Sequence, residues 1–434
     1  MFPNSKRGGL LSRAAMAAAL ALGAVGGAAV FAAPAVAKEA KGSNSPDFVK
    51  VAGPLQKDVQ ELVGKVGKAP EPQLKAAAVA LAPRLAALEP VMKTPLDKST
   101  GGQWMYQIGA IAGDDVLSSK GLDAMLSSGM LDAATEAKVK TMRGQNAYLS
   151  KDYAKAIELL GPVAAQPGVD DAVPQMLAES YAATGNVAQA TAALKGAIEA
   201  RKAAGAAVPE VLIGRGLAIA YRAKSNDMAF YFASQLAANY PTKSNWGDAI
   251  ATARNMGKFQ AQETLDLMRL VSRTDSFRDS GDYAEYLQAA DARRSPGEVL
   301  KVLNAGVAAG KLSASDVFVT DNKSQATARL AADKAGLPAL ERDAMAPSAS
   351  GVTVNAAADA FLSYDQPAKA EALYRVALTK PGVDADRVNT RLGIALADQG
   401  KYADAQAAFA KVGGLRKPIA DLWAIYAAQK ARGA

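Results

Sequence analysis

Small and bulky side chains recur along this chain at fixed intervals, and the intervals are those of stacked helices. Gly144, Ala156 and Leu160 return as Ala178, Ala190 and Leu194, each 34 positions later. Nearer the C-terminus Ala358, Phe361, Ala370 and Tyr374 return as Gly393, Leu396, Ala405 and Phe409, each 35 later. A period in this range marks a repeat array in which each unit is a helix pair that cannot bury its apolar face alone. The small residues let two backbones approach, and the bulky ones fill the space left between turns. Gly185 and Gly400 stand where the helices must turn, and glycine tolerates the left-handed backbone that ends a helix.

Elsewhere the pattern stays helical without a fixed offset. Residues 38–130 hold helical pieces punctuated by proline, among them Pro72 to Leu88. Residues 209–340 read as helices of irregular length with breaks at Pro209, Pro241, Pro296 and Pro338. The one strand-like run, Asp316 to Thr320, is too short to imply a sheet. The expected organisation is an N-terminal helical region at 38–130, a repeat pair at 131–200, degenerate helical repeats at 201–345, a linker at 346–353 and a second repeat pair at 354–434.

The repeated residues resemble the tetratricopeptide repeat family. The last unit supplies Leu392-Gly393, Leu396, the turn Asp398 to Lys401, Tyr402, Ala405 and Phe409. Further units run through Arg143-Gly144, Ala147, Tyr153, Ala156 and Leu160, with Pro167 where the family often ends its second helix; through Leu177-Ala178, Tyr181, Gly185, Ala190 and Leu194; and through Ala357-Ala358, Phe361, Ala370, Tyr374 and Pro381. A fifth is expected through Leu217-Ala218, Tyr221 and Pro241, with Phe230 at the place of a small residue. The resemblance implies an all-α, right-handed superhelical solenoid of antiparallel helix pairs, with degenerate hairpins outside the clear repeats. It also implies a concave binding face carrying Lys138, Thr141, Gln145 and Tyr148 in one unit, Gln175 and Glu179 in the next, and Asn355 and Asp359 in the C-terminal pair. Members that clamp a peptide carboxylate use Lys and Asn at two of these places, where this chain has Thr141 and Gln145, then Gln175 and Glu179.

Composition narrows the chemistry. Apolar residues make up 50% of the chain but aromatics only 6%, and runs such as Ala76 to Ala82 tilt the fold to helix. The chain has no cysteine and no histidine, so disulfides, thiolate nucleophiles, Cys/His zinc sites and imidazole bases are excluded. Residues 1–37 read as a Sec-type signal: Lys6, Arg7 and Arg13 precede an apolar stretch from Leu10 to Phe31, and Ala35-Val36-Ala37 fits cleavage between Ala37 and Lys38. Losing those three cations takes the formal charge from +8 to +5, with Lys and Arg scattered among Asp and Glu, so no nucleic-acid partner is expected. No stable membrane span is expected after cleavage.

No catalytic constellation is complete. Gly306 to Lys311 falls one residue short of a phosphate loop and carries Leu312 in place of the hydroxyl, so it reads as a helix end. Asp384 and Asp386 lack the rest of a calcium loop and read as helix caps. Glu179-Ser180 resembles the catalytic pair of helical lytic transglycosylases but lies inside a repeat without their glycine-rich segment. The expected protein is a periplasmic or secreted, non-enzymatic scaffold. It needs no cofactor or metal and binds proteins or peptides of the cell envelope on its concave face. The alternatives are a cell-wall glycan enzyme using Glu179 as its acid, and binding of an envelope polysaccharide without turnover.

Overall fold

The computed structural model describes residues 42–166 and 168–433. The expected signal, its Ala37/Lys38 cleavage point and Pro167 lie outside the described residues. The chain divides into two compact units, Met1–Ala206 and Ala207–Ala434. Among the described residues every regular element is a helix, and there is no strand.

The N-terminal unit holds α1 (Pro46–Gly64), α2 (Glu71–Ala86), α3 (Pro95–Ala112), α4 (Asp115–Ser127), α5 (Ala133–Leu149), α6 (Tyr153–Leu160), α7 (Ala172–Ala183) and α8 (Val187–Ala203). Its start is fastened by one carboxylate. Thr94 and Asp97 form a capping box around Pro95, and Asp97, fully buried, accepts the backbone N–H groups of Ser45, Lys93 and Thr94 at 2.9, 3.2 and 2.9 Å. Burial pushes its carboxyl up, but the N–H groups outweigh burial and hold it below the usual value. Helices α3 and α4 approach most closely at glycines: a Cβ on Gly102 would lie 2.6 Å from the Gly121 carbonyl, and one on Gly121 would lie 2.4 Å from the Tyr106 nitrogen.

The C-terminal unit holds α9 (Glu210–Arg222), α10 (Asn226–Asn239), α11 (Lys243–Met256), α12 (Ala261–Arg273), α13 (Ser280–Ala290), α14 (Pro296–Ala308), α15 (Val317–Ala344), α16 (Gly351–Ser363), α17 (Pro367–Ala377), α18 (Ala385–Ala397), α19 (Tyr402–Phe409) and α20 (Lys417–Ala431). One apolar core runs through it from Ala233 to Ala427.

In the pairs α5/α6, α7/α8, α16/α17 and α18/α19 every small and bulky repeat position is buried. The reason is steric. A Cβ on Gly144 would meet Leu160 Cδ2 at 2.4 Å, and one on Gly393 would meet Phe409 Cε1 at 2.3 Å. In each pair the bulky residue lies 16 positions after the small one. The same spacing joins Gly216 to Phe232, whose ring would be 2.3 Å from a Gly216 Cβ, so α9/α10 is a further pair of this kind. Its small position is Gly216 rather than Ala218, two residues earlier than the sequence reading placed it. Each turn also needs a left-handed residue, supplied by Gly185 and Gly400 and, at the equivalent places, by Lys151 and Asp365.

Other expectations are corrected in detail. Pro209 and Pro296 mark helix starts and Pro241 a break, but Pro338 lies inside the 28-residue α15. Asp316 caps α15 by accepting the Phe318 N–H at 2.8 Å, so the strand-like run is the first turn of a helix. Ser350 caps α16, which begins inside the expected linker. Gly310 is left-handed just past α14, as a helix end requires. Asp384 caps α18, whereas Asp386 does not cap it and instead accepts the Gly413 N–H at 2.9 Å.

Candidate functional site

In the N-terminal unit, Lys138, Thr141, Gln145 and Tyr148 lie on α5, and Gln175 and Glu179 on α7. The Tyr148 hydroxyl donates to the Glu179 carboxylate, which brings the two helices' polar positions onto one seam. Thr141 donates to the Ala137 carbonyl at 2.9 Å and Gln175 to the Asp171 carbonyl at 3.0 Å, while Lys138 is exposed.

One position round the helix, α5 presents a second face. Arg143, Asn146 and Leu149 follow at intervals of three and form a stripe beside that of Thr141, Gln145 and Tyr148, with Leu149, four after Gln145, at the boundary of the two. With Asp115, Val116, Ser119, Lys120 and Asp123 of α4 they line a cleft of ≈ 370 Å³. Arg143 Nε donates to Asp123 at 2.9 Å, joining the two walls. The rims are apolar and open: Val116 is 68% exposed and Leu149 58%. A smaller cavity of ≈ 80 Å³ shares Asp115, Asn146 and Leu149 with the cleft and reaches Gln145.

In the C-terminal unit the corresponding residues are already engaged. Asp359 accepts Arg387 Nη2 at 2.5 Å, Arg391 Nη1 at 2.6 Å and the Tyr374 hydroxyl at 2.7 Å, and Asn355 donates to Asp359 at 3.4 Å. Behind them α12 follows α18 at a constant offset of 125 positions, with Gln262 against Arg387, Asp266 against Arg391 and Arg273 against Asp398. Asp266 is the hub. It is wholly buried and contacts Arg391 at 2.9 Å, Arg416 at 2.6 Å and Arg269 at 3.1 Å, and Arg269 also forms two hydrogen bonds to Glu298. Burial alone pushes the Asp266 carboxyl up, but Arg391, Arg416 and Arg269 outweigh it and hold the group below the ordinary carboxylate range. Burial likewise raises the Tyr374 hydroxyl, helped by Asp359, so it remains a donor. Helix α20 closes this end: Trp423 Nε1 donates to the Asp266 carbonyl at 2.9 Å and Gln429 Nε2 to the Ala237 carbonyl at 2.6 Å.

The structure therefore brings Tyr148 and Glu179 together, and separately Asn355 and Asp359. The second pair sits within a web of ion pairs supplied by the chain itself. Sequence reading missed Asp266 and its arginines because their partners lie far apart in the chain. One signal was available: Arg387 and Arg391 stand four apart on a helix otherwise read as core, and a guanidinium buried there requires a carboxylate.

The fold defines an all-α, tetratricopeptide-like helical repeat protein. No family model matches the chain, and no curated protein matches it. Among solved structures it is similar to the TPR2AB domain of yeast Sti1 in its complex with pHSP90, at 14% identity and TM-score 0.24, covering 69% of this chain and 97% of that one. It is also similar to the pentatricopeptide repeat protein PPR10 from maize, at 14% identity and TM-score 0.19, covering 86% of this chain and 66% of that one. Likenesses this slight say nothing of what this chain binds.

Proposed function

We propose that the protein is a non-enzymatic scaffold of the cell envelope that holds segments of partner proteins on the N-terminal unit, chiefly in the α4/α5 cleft. The observation that carries this reading is the pair of exposed aliphatic side chains, Val116 and Leu149, on the rims of a cleft with a charged floor. Such an apolar pair with polar surroundings is the pattern by which proteins recognise other proteins' segments. The signal-like residues 1–37 support an exported location, periplasmic or secreted. The engaged state of Asp359 turns attention from the C-terminal pair to this unit.

The test is capture of an envelope partner by the purified protein, repeated with Val116→Glu and with Leu149→Lys. Each new charge suits its helix dipole, an acid in the first turn of α4 and a base in the last turn of α5, so folding is undisturbed. Both variants should lose the partner at least tenfold while melting like the parent. Equal capture by all three would refute the cleft as the site. The protein should release no fragment from peptidoglycan; release that Glu179→Gln abolishes would establish the glycan enzyme instead.

A further inference from the structure

A second cavity, of ≈ 440 Å³, lies in the C-terminal unit between α14, α15 and the turn from α16 to α17. It exists because α15 is held by a narrow stripe. Val319, Ala326, Leu337 and Ala344, at spacings of 7, 11 and 7, are its buried residues; Phe318, Asn322, Leu330, Ala339, Leu340 and Glu341 are half-buried, and the rest of the helix is exposed. Leu330 belongs to the same stripe by position, four after Ala326. It is only half-buried, as is Leu300 of α14, because at this level the seam between the helices opens into the cavity. Tyr364 makes a fixed wall. Its hydroxyl donates to Asp333 at 2.6 Å, and its ring lies so close to Gly297 that a Cβ there would meet Tyr364 Cε1 at 2.5 Å.

Lys301, Lys334 and Asp365 line this cavity, and Asp333 stands at the Tyr364 hydroxyl. Lys301 is answered by both oxygens of Asp365 at 2.8 Å. Lys334 forms no ion pair among the described residues, and its ammonium stands 5.8 Å from the centre of the Tyr364 ring. The pocket therefore offers leucine side chains, an aromatic wall and, in Lys334, a cation without an ion pair among the described residues. An aliphatic side chain would cover Leu300 and Leu330, and a neighbouring carboxylate would answer Lys334.

We infer that this cavity is a docking site for a partner-protein segment carrying an aliphatic side chain next to an acidic one. It is separate from the α4/α5 cleft and independent of it. Lys334 is exposed on α15, and glutamate is as good a helix former as lysine, so a charge reversal there leaves folding intact.

The experiment is fluorescence anisotropy with a labelled ten-residue peptide of glutamate and leucine, against the same peptide with lysine for glutamate. The acidic peptide binds the protein, and the basic one binds at least tenfold more weakly. Lys334→Glu weakens the acidic peptide tenfold or more, Lys334→Gln by less, and Leu330→Asp abolishes binding in a protein whose circular dichroism is unchanged. Val116→Glu leaves peptide binding as it was, which separates this site from the proposed scaffold surface. The inference is overturned if the acidic peptide does not bind at millimolar concentration, if both peptides bind alike, if Lys334→Glu binds like the parent, or if Val116→Glu removes the binding. It is equally overturned if laurate fills the site and the peptide does not, since the pocket would then take a lipid.

Discussion

An Asp266→Ala variant unfolds its C-terminal unit with about 3–5 kcal/mol less stability than the parent, a drop in melting midpoint on the order of 10 °C for a unit of this size. The magnitude follows from what is left behind. Arg391, Arg416 and Arg269 all contact this one carboxylate and are themselves buried; each keeps one other carboxylate, Asp359, Glu263 and Glu298, but removal of Asp266 strands buried N–H donors and leaves three like charges facing one another without the anion between them. The exposed pair Lys243 and Asp275 is the control. Both side chains are more than two-thirds exposed, and Lys243→Ala leaves the melt unchanged. Acid provides a second reading of the same group. Its folded-state value lies below its unfolded one, so its contribution is complete above about pH 4 and is lost as pH falls through the depressed value. The gap between parent and variant should therefore narrow on acidification below that point. Urea melts followed by circular dichroism at pH 7 and pH 3 decide the matter; a parent-like melt of Asp266→Ala at pH 7 would remove the hub from the account.

The second large effect is at Gly393. Adding a single methyl forces the Phe409 ring to move, and the ring has nowhere to go: it is buried, with the Trp423 ring centred 6.2 Å away. Gly393→Ala should destabilise the unit by about 1–3 kcal/mol, although alanine is ordinarily the better helix former by about 1 kcal/mol. Gly393→Leu unfolds the C-terminal pair. The sign reverses when Phe409 is truncated. In a Phe409→Ala background, itself costing about 3–5 kcal/mol, the same Gly393→Ala change is neutral or stabilising, because the methyl now enters a cavity. A double-mutant cycle with a coupling near zero would mean the two positions do not meet.

These effects show which parts of the fold could be read from residues alone. The pairs α5/α6, α7/α8, α16/α17 and α18/α19 were legible because steric demand writes a local code: a small residue, and a bulky one 16 positions on. Gly216 and Phe232 obey that code, yet they escaped a search for fixed periods. Gly216 follows Ala178 by 38 positions rather than 34, since α8, at 17 residues against the 8 of α6, outgrows the shortening of the loop before α9. Proline misled at Pro338 because a helix held by a narrow buried stripe still runs through it. The polar positions of α5 and α7 came from the resemblance to the repeat family, and Tyr148 and Glu179 do meet across the seam. The α4/α5 cleft was not legible, because it depends on which face of α5 the neighbouring helix leaves open. Nor was the filling of the C-terminal pair, since the pairing of α12 with α18 spans 125 positions and depends on the route of the intervening chain.

The central claim is that recurring small residues are the seams on which the helices close, and the absence of cysteine makes it directly measurable. Single cysteines at Ala358 and Ala405, both wholly buried, should resist thiol reagents until the unit is unfolded by urea. Cysteines at Ala356 and Ala407, two residues away and exposed, should react at the rate of a free thiol. Equal reactivity at buried and exposed positions in the native protein would contradict the account.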